Sequence, residues 1–180
     1  MQPSQLAVGS YSGKLAIFDA STLSMEYLMH GHKGGITHLR FTACGNYLLS
    51  GARQDPEILC WDVRFTSDVL YRLARDTAAT NQRIQFDIEP SGRHLATGGA
   101  DGRVRVFDLQ TGSQVDTIVV AEDTVSGCQF HPYLPLLATG SGHRQVISRA
   151  PPPGLSCCAG AQYNASVTSM APQSASHSWH

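Results

Sequence analysis

Short stretches of alternating apolar and polar residues recur along the first 148 positions of the chain, and each is bounded by Gly, Pro, Asp or Ser. Within one unit the stretches are ITHLRF, YLLSG, EILCWDV and VLYRL. They have a period of two and are rich in β-branched and aromatic residues, which predicts four successive β-strands. Little of this region has the period of an amphipathic helix, so we expect a nearly all-β fold.

The strand pattern repeats along the chain. The segments LAVGSYSGKLAIFD (6–19), LLSGARQDPEILCWD (48–62) and LATGGADGRVRVFD (95–108) follow one plan, and a fourth copy begins at LLATGSGHRQVI (136–147). The glycines that they share are 42, 47 and 42 residues apart, at Gly9, Gly51, Gly98 and Gly140. The apolar positions Phe41, Ile88 and Phe130 repeat the spacings of 47 and 42. Two features with one spacing indicate a structural repeat.

Four-stranded units of this length resemble the WD40 repeat, whose fold is a β-propeller, because Gly31-His32 opens one unit and Trp61-Asp62 closes it. We expect a partial WD40 propeller over residues 1–148, with blade units near 6–30, 31–74, 80–120 and 124–148. These amount to about three blades, fewer than a closed propeller needs. The expectation is therefore an incomplete β-propeller with open strand edges, the C-terminal part of a longer one or a shortened product. Residues 149–180 are rich in Pro, Gly, Ala and Ser without periodicity, which predicts a disordered or only partly docked tail.

The same resemblance implies a structural role for the Trp-Asp pair. In WD40 repeats a His, a strand Ser or Thr, a turn Asp and the Trp form a relay of buried hydrogen bonds, which here would be His32, Ser50, Asp55 and Trp61. The next unit has Thr97 and Asp101, but Phe107 takes the place of the tryptophan and no Gly-His precedes it. We expect its relay to be incomplete.

Composition and motifs narrow the function classes. The 13 basic and 14 acidic residues give a net charge of −1, so nucleic-acid binding would need a local patch. Five cysteines without a CxxC pair are typical of a reducing compartment, and no apolar run reaches the roughly 18 residues of a membrane span. The N-terminus lacks the features of a signal peptide, which favours an intracellular protein without a membrane partner.

Catalytic and metal motifs are weak. The glycine-rich GGADGR (98–103) lacks the Gly-Lys-Ser/Thr of a phosphate loop, no Gly-x-Ser-x-Gly occurs, and His30 and His32 have no cysteine or carboxylate cluster at zinc spacing. We expect no enzyme, no cofactor, no metal site and no small-molecule substrate.

Four segments carry a more specific resemblance: GHKGGITHLRF (31–41), SGARQDPEILCWDVR (50–64), TNQRIQFDIEPSGRHLATGG (80–99) and HPYLPLLATGSGHR (131–144). Together they resemble the telomerase Cajal-body protein family over roughly residues 6–145. The resemblance implies an RNA-binding WD40 scaffold that recognises small Cajal-body RNAs of the H/ACA type and telomerase RNA. It implies that the scaffold directs these ribonucleoproteins to Cajal bodies and supports telomerase assembly and trafficking. The implied partners are H/ACA core proteins, telomerase and the cytosolic chaperonin, in the nucleus and Cajal body and also the cytoplasm.

In a propeller blade the turns between the second and third strands share one face with the segments that join successive blades. Arginine can bind phosphate and stack on unpaired bases, and Asn and Gln can read base edges. The candidate RNA-binding residues on that face are Lys33, Arg53, Asn81, Gln82, Arg83, Arg103 and Arg144, with ordinary solvated turn charges as the alternative interpretation.

An alternative function is a protein-only WD40 adaptor, such as a cullin-ligase substrate receptor. The sequence Trp61-Asp62-Val63-Arg64 matches a short docking motif of such receptors, in which Asp62 and Arg64 would contact the partner.

Overall fold

The structure, a computed structural model, describes residues 5–142 and 164–169. Every secondary-structure element in these ranges is a β-strand. The strands are β1 (Gln5–Gly9), β2 (Lys14–Asp19), β3 (Met25–His30), β4 (Ile36–Phe41), β5 (Tyr47–Ala52), β6 (Glu57–Asp62), β7 (Val69–Ala74), β8 (Phe86–Ile88), β9 (His94–Thr97), β10 (Arg103–Asp108), β11 (Ser113–Val119), β12 (Val125–Phe130), β13 (Leu136–Ser141) and β14 (Asn164–Ser169). The all-β prediction is confirmed.

The strands form four antiparallel sheets in which neighbours along the chain are neighbours in space. Blade 1 contains β1–β2–β3, blade 2 contains β4–β5–β6–β7, blade 3 contains β8–β9–β10–β11, and blade 4 contains β12–β13–β14. Up-and-down sheets of this kind are the blades of a β-propeller. The described residues therefore form a partial propeller that is not closed, as the repeat spacing predicts.

The third strand of blade 4 comes from the segment for which composition predicts disorder or partial docking. Strand β14 pairs with β13 in register from Leu136 opposite Ser169 to Ser141 opposite Asn164. The other residues beyond Gly142, including Cys157 and Cys158, lie outside the described part of the chain.

Each pair of consecutive blades encloses one apolar core. In β6, Ile58 and Cys60 pack toward blade 3, while Leu59 and Trp61 pack toward blade 1. Successive side chains of a strand point to opposite faces, so a strand in the middle of a propeller is buried on both. This explains the unbroken apolar run ILCW, and each fully buried leucine or isoleucine contributes about 1.5–3 kcal/mol.

Hydrogen bonds join the turns and inter-blade segments along one face of the molecule, which we call the connector face. It consists of the turns at residues 10–13, 53–56 and 98–102 and the joining segments at 31–35, 75–85 and 120–124. Six backbone hydrogen bonds of 2.7–3.0 Å link them in sequence: Ile36 N to Ser10 O, Arg53 N to Gly35 O, Arg75 N to Pro56 O, Ala100 N to Asp76 O, Val125 N to Gly99 O, and Gly142 N to Thr124 O.

Glycine permits one of these close approaches. A Cβ on Gly34 would lie 1.8 Å from the carbonyl oxygen of Arg53. Any side chain at this position would therefore push the 31–35 segment away from the 53–56 turn.

Candidate functional site

The structure brings the four relay residues of blade 2 together. The indole Nε1 of Trp61 donates to Ser50 Oγ at 2.8 Å, and Ser50 Oγ lies 2.7 Å from His32 Nε2. His32 Nδ1 lies 2.8 Å from Asp55 Oδ2. Because the Asp55 carboxylate only accepts, the His32 Nδ1–H group donates to it. In the neutral imidazole this leaves Nε2 to accept a hydrogen bond from the Ser50 hydroxyl.

Asp55 is the fixed end of this relay. Its Oδ2 also accepts from Lys33 N, and its Oδ1 accepts from Glu57 N, both at 3.1 Å. Burial pushes the Asp55 pKa upward, but the hydrogen bond from His32 and those from the two backbone N–H groups outweigh it and hold the pKa below its usual value. The relay thus fastens the 53–56 turn to the 31–35 segment through buried, satisfied polar groups, and it has no open position for a substrate.

Blade 3 does not assemble the same relay. Thr97 Oγ1 donates only to backbone carbonyls, at 3.2 Å from Gly98 O and 3.5 Å from Gln85 O. Asp101 instead pairs with Arg105 at 2.7 Å and with Arg103 at 3.8 Å. Phe107 lies in the apolar core between blades 2 and 3. No histidine bridges Thr97 and Asp101 in the part of the chain that is described.

The basic side chains differ in whether a carboxylate lies close enough to pair with them, and this difference follows their position in the fold. Six arginines have a carboxylate oxygen within 4 Å, namely Arg40, Arg64, Arg72, Arg93, Arg103 and Arg105. The other basic residues of the described ranges have none, namely Lys14, Lys33, Arg53, Arg75 and Arg83. Lys14 directly follows the 10–13 turn, and the other four lie within the turns and joining segments. All five belong to blades 1–3 at the connector face.

Carboxylates also lie on this face: the exposed Asp76 in the 75–85 segment, and Asp101, Glu122 and Asp123 toward blade 4, so the excess of positive charge is confined to blades 1–3. A protein with a net charge of −1 therefore concentrates unpaired positive charge over blades 1–3.

The predicted RNA-binding residues are not equivalent. Lys33, Asn81 and Arg83 are exposed, and Arg53 and Gln82 are half-buried. Arg103 is exposed and lies 3.8 Å from Asp101, a carboxylate that Arg105 binds more closely, at 2.7 Å. Arg144 lies outside the described residues.

Arg75 is a cation that sequence reasoning missed. Its residue is only 4% exposed, and its guanidinium donates to Ala52 O at 2.9 Å and Ile84 O at 3.2 Å, while Nε has no partner. Burial lowers its pKa to about 10, against the opposing charge of Asp55, so the group stays charged at neutral pH. A Cβ on Gly51 would lie 3.1 Å from Arg75 Nη2, which gives the repeated glycine a packing role.

His38 lies on β4, the innermost strand of blade 2, close enough to Arg83, Arg40 and Arg75 for their charges to act on it. Its ring stacks on Phe86 with centroids 4.4 Å apart, and its Nδ1 accepts from Phe86 N at 3.3 Å. Burial, followed by the charges of Arg83 and Arg40, lowers the His38 pKa to about 4. The ring is therefore neutral at pH 7 and carries its proton on Nε2.

An ion pair on the inner strands helps to tie three blades together. Arg40 of β4 pairs with Asp87 of β8, and the other carboxylate oxygen of Asp87 accepts from Phe130 N of β12 at 2.8 Å. Asp87 is buried, whereas 46% of the Arg40 side chain is exposed.

The proposed docking pair of the alternative function lies at the opposite end of blade 2. Arg64 binds Asp62 with two hydrogen bonds, of 2.9 Å from Nε and 2.7 Å from Nη2, and its guanidinium lies 5.9 Å from the centre of the Tyr47 ring. The Arg64 side chain holds the Asp62 pKa below its usual value. A docking partner would have to compete with this pair.

The described ranges contain no group of three or more His, Cys, Asp or Glu side chains placed to hold a metal ion. Cys60 and Cys128 are core residues, and burial raises the pKa of their thiols to about 11 and about 12. Nor does this part of the chain contain a helix that is long and apolar enough to cross a membrane.

Both the sequence and the structure of this chain are similar to those of known proteins. The WD40 family (WD domain, G-beta repeat) matches residues 23–62 and 80–108. In the crystal structure of the mitotic checkpoint complex, one chain superposes with a TM-score of 0.67 at 26% identity, over 77% of this chain and 41% of that one.

Several relatives share one name. Telomerase Cajal body protein 1 of Mesocricetus auratus is 44% identical over 79% of this chain, and that of Homo sapiens is 42% identical over 77%. The Drosophila melanogaster homologue is 38% identical over 78%. The chain spans 28%, 26% and 27% of the length of these three relatives. The WD40 repeats and this similarity show that the chain belongs to the telomerase Cajal body protein family.

Proposed function

We propose that the chain is a non-catalytic WD40 scaffold that binds single-stranded loops of small Cajal-body RNAs and telomerase RNA. The binding surface is the connector face over blades 1–3. One observation carries the proposal: the four basic residues of the described ranges that are at least partly exposed and have no carboxylate partner, Lys14, Lys33, Arg53 and Arg83, all lie on that face.

Unpaired cations are the groups that RNA phosphates require. A cation held by a carboxylate gains little from a phosphate, because it must first give up its partner. Lys33, Arg53 and Arg83 have no such partner, and each phosphate contact releases counterions from the RNA. The neutral His38 adds an Nε2–H donor beside Arg83, and the exposed Asn81 can bond a base edge.

The names of the relatives extend the proposal to partners and location. They associate those proteins with telomerase and the Cajal body. We infer a nuclear, Cajal-body ribonucleoprotein as the assembly, with H/ACA core proteins as neighbours and the cytosolic chaperonin as the folding partner.

The test is fluorescence anisotropy with the full chain, using a hairpin of the Cajal-body type and the same hairpin with a scrambled loop, over a range of salt concentrations. Arg83→Gln should reduce the slope of log affinity against log salt by about 0.7–0.9, the effect of one lost phosphate contact. Arg72→Gln is the matched control, because Arg72 is also exposed but pairs with Glu57 at 2.7 Å on β7. It should leave the slope unchanged.

Folded protein that binds both hairpins equally would overturn loop recognition, and equal effects of the two variants would overturn the assignment of the face. If binding of a protein partner survives RNase and is lost with Arg64→Ala, the adaptor function takes precedence.

A further inference from the structure

The connector face presents a large aromatic side chain that no core uses. Tyr11, in the turn between β1 and β2, is 89% exposed. Single exposed apolar residues are common on protein surfaces, so this exposure alone indicates nothing. Tyr11 differs from such residues because basic residues surround it: its turn directly precedes Lys14 and packs against the segment that carries Lys33.

The turn that carries Tyr11 is rigidly held. Ser10 O accepts from Ile36 N at 3.0 Å and from Gly13 N at 3.3 Å, and Ser10 Oγ accepts from Lys14 N at 3.1 Å. Gly13 has a φ of 78°, which a residue with a side chain adopts only with strain. The backbone that carries Tyr11 is therefore already in place for a bound base.

Glycine on the neighbouring segment keeps the Tyr11 ring close to the backbone. A Cβ on Gly35 would lie 2.9 Å from Tyr11 O and 3.1 Å from ring atom Cδ2. One edge of the ring thus rests on a residue without a side chain, while almost all of the remaining ring surface faces solvent.

We propose that Tyr11 is a stacking platform for one unpaired nucleobase of the bound RNA, an inference that rests on the proposed function. The ring offers a flat π-surface, and the uncompensated charges of Lys14, Lys33 and Arg53 attract the phosphates on either side of the base. Bases within a duplex have no free face, so this arrangement selects loops and single strands.

The experiment compares Tyr11→Ala with Tyr133→Ala. Tyr133 is 91% exposed in the loop between β12 and β13, at the opposite end of the blades, so it controls for loss of an exposed aromatic ring. Tyr11→Ala should weaken binding of the looped hairpin by about 5- to 150-fold, the usual effect of one lost stacking contact. Tyr11→Phe should bind like the wild type, and Tyr133→Ala should have no effect.

A second measurement reports contact directly. In Tyr11→Trp the looped hairpin should quench the fluorescence of the new exposed indole, and a blunt duplex without a loop should not. Loop-dependent binding that Tyr11→Ala leaves intact, or an unquenched indole in the complex, would overturn the Tyr11 inference while the RNA function stands. Absence of loop-dependent binding in the wild type would instead overturn the RNA function itself.

Discussion

The hydroxyl group of Ser50 is the central link of the blade 2 relay, and its removal should destabilise the fold strongly. In Ser50→Ala the hydrogen bonds to Trp61 Nε1 at 2.8 Å and to His32 Nε2 at 2.7 Å are both lost. The lost bond to His32 contributes about 1 kcal/mol, and the buried Trp61 donor left unpaired costs about 1–3 kcal/mol. Because Trp61 is 2% exposed, water cannot easily replace the lost acceptor. We expect a decrease of about 2–4 kcal/mol in the free energy of unfolding.

The assay is urea denaturation of the full chain followed by far-UV circular dichroism. Thr97→Val is the matched control, since Thr97 holds the equivalent position in blade 3 but bonds only to backbone carbonyls. It should cost less than about 1 kcal/mol. Trp61→Phe reproduces the natural Phe107, and in a double-mutant cycle with Ser50→Ala it should show a coupling energy of about 1–2 kcal/mol.

Equal losses in Ser50→Ala and Thr97→Val would refute the reasoning, because the relay would then add nothing to an ordinary buried hydroxyl. Additive effects in the cycle would refute the coupling between Trp61 and Ser50.

Two further predictions concern the inner strands. The His38 pKa is about 4 in the folded chain against an ordinary 6.5, so between these values the unfolded chain binds more protons and stability falls as the pH drops from 6.5 toward 4. Because solvent screens the partly exposed ring, we expect stability to fall by about 1–2 kcal/mol over this range. His38→Gln should remove this pH dependence from unfolding curves measured between pH 6.5 and 4. Identical pH profiles of the variant and the wild type would contradict the prediction. Arg40→Ala should cost about 2–4 kcal/mol and more than Asp87→Asn, because it leaves the buried Asp87 carboxylate without its cation, whereas Asp87→Asn removes the buried charge and leaves a half-exposed arginine that water solvates. Urea denaturation checks the order, and a larger effect of Asp87→Asn would contradict it.

The repeat made most of the fold predictable from the sequence. Strand composition is a local property that recurs in every blade. Gly9, Gly51 and Gly98 recur because each faces the next blade, or the segment that leads to it, at close range. A Cβ at these positions would lie 2.5 Å from Ile36, 3.1 Å from Arg75 and 2.0 Å from Val125 O, respectively. Strands β4 to β7 fall where the four apolar stretches predict them. Only the resemblance to WD40 repeats, in which residues of the same types form these hydrogen bonds, predicted the relay partners His32, Ser50, Asp55 and Trp61.

Contacts between units were not predictable in the same way. Arg75 and Asp87 each bond to residues of a neighbouring blade, and no periodic pattern encodes such partners. The contact of Arg103 with Asp101 at 3.8 Å depends on a turn geometry that the sequence leaves open. The pairing of β14 with β13 is another contact across a long segment without a repeat signal.

The relay and the positive connector face are connected through Asp55. This carboxylate lies two residues from both Arg53 and Glu57 and bonds to Lys33 N, so it would otherwise be the natural counter-ion for the cations around it. Both of its oxygens are instead engaged by His32 and backbone N–H groups, and it is only 3% exposed. The structural relay therefore withdraws the local negative charge from the surface and leaves Lys33 and Arg53 unpaired. A variant that breaks the relay at His32 would free Asp55 to pair with these cations, so RNA affinity and fold stability should decline together.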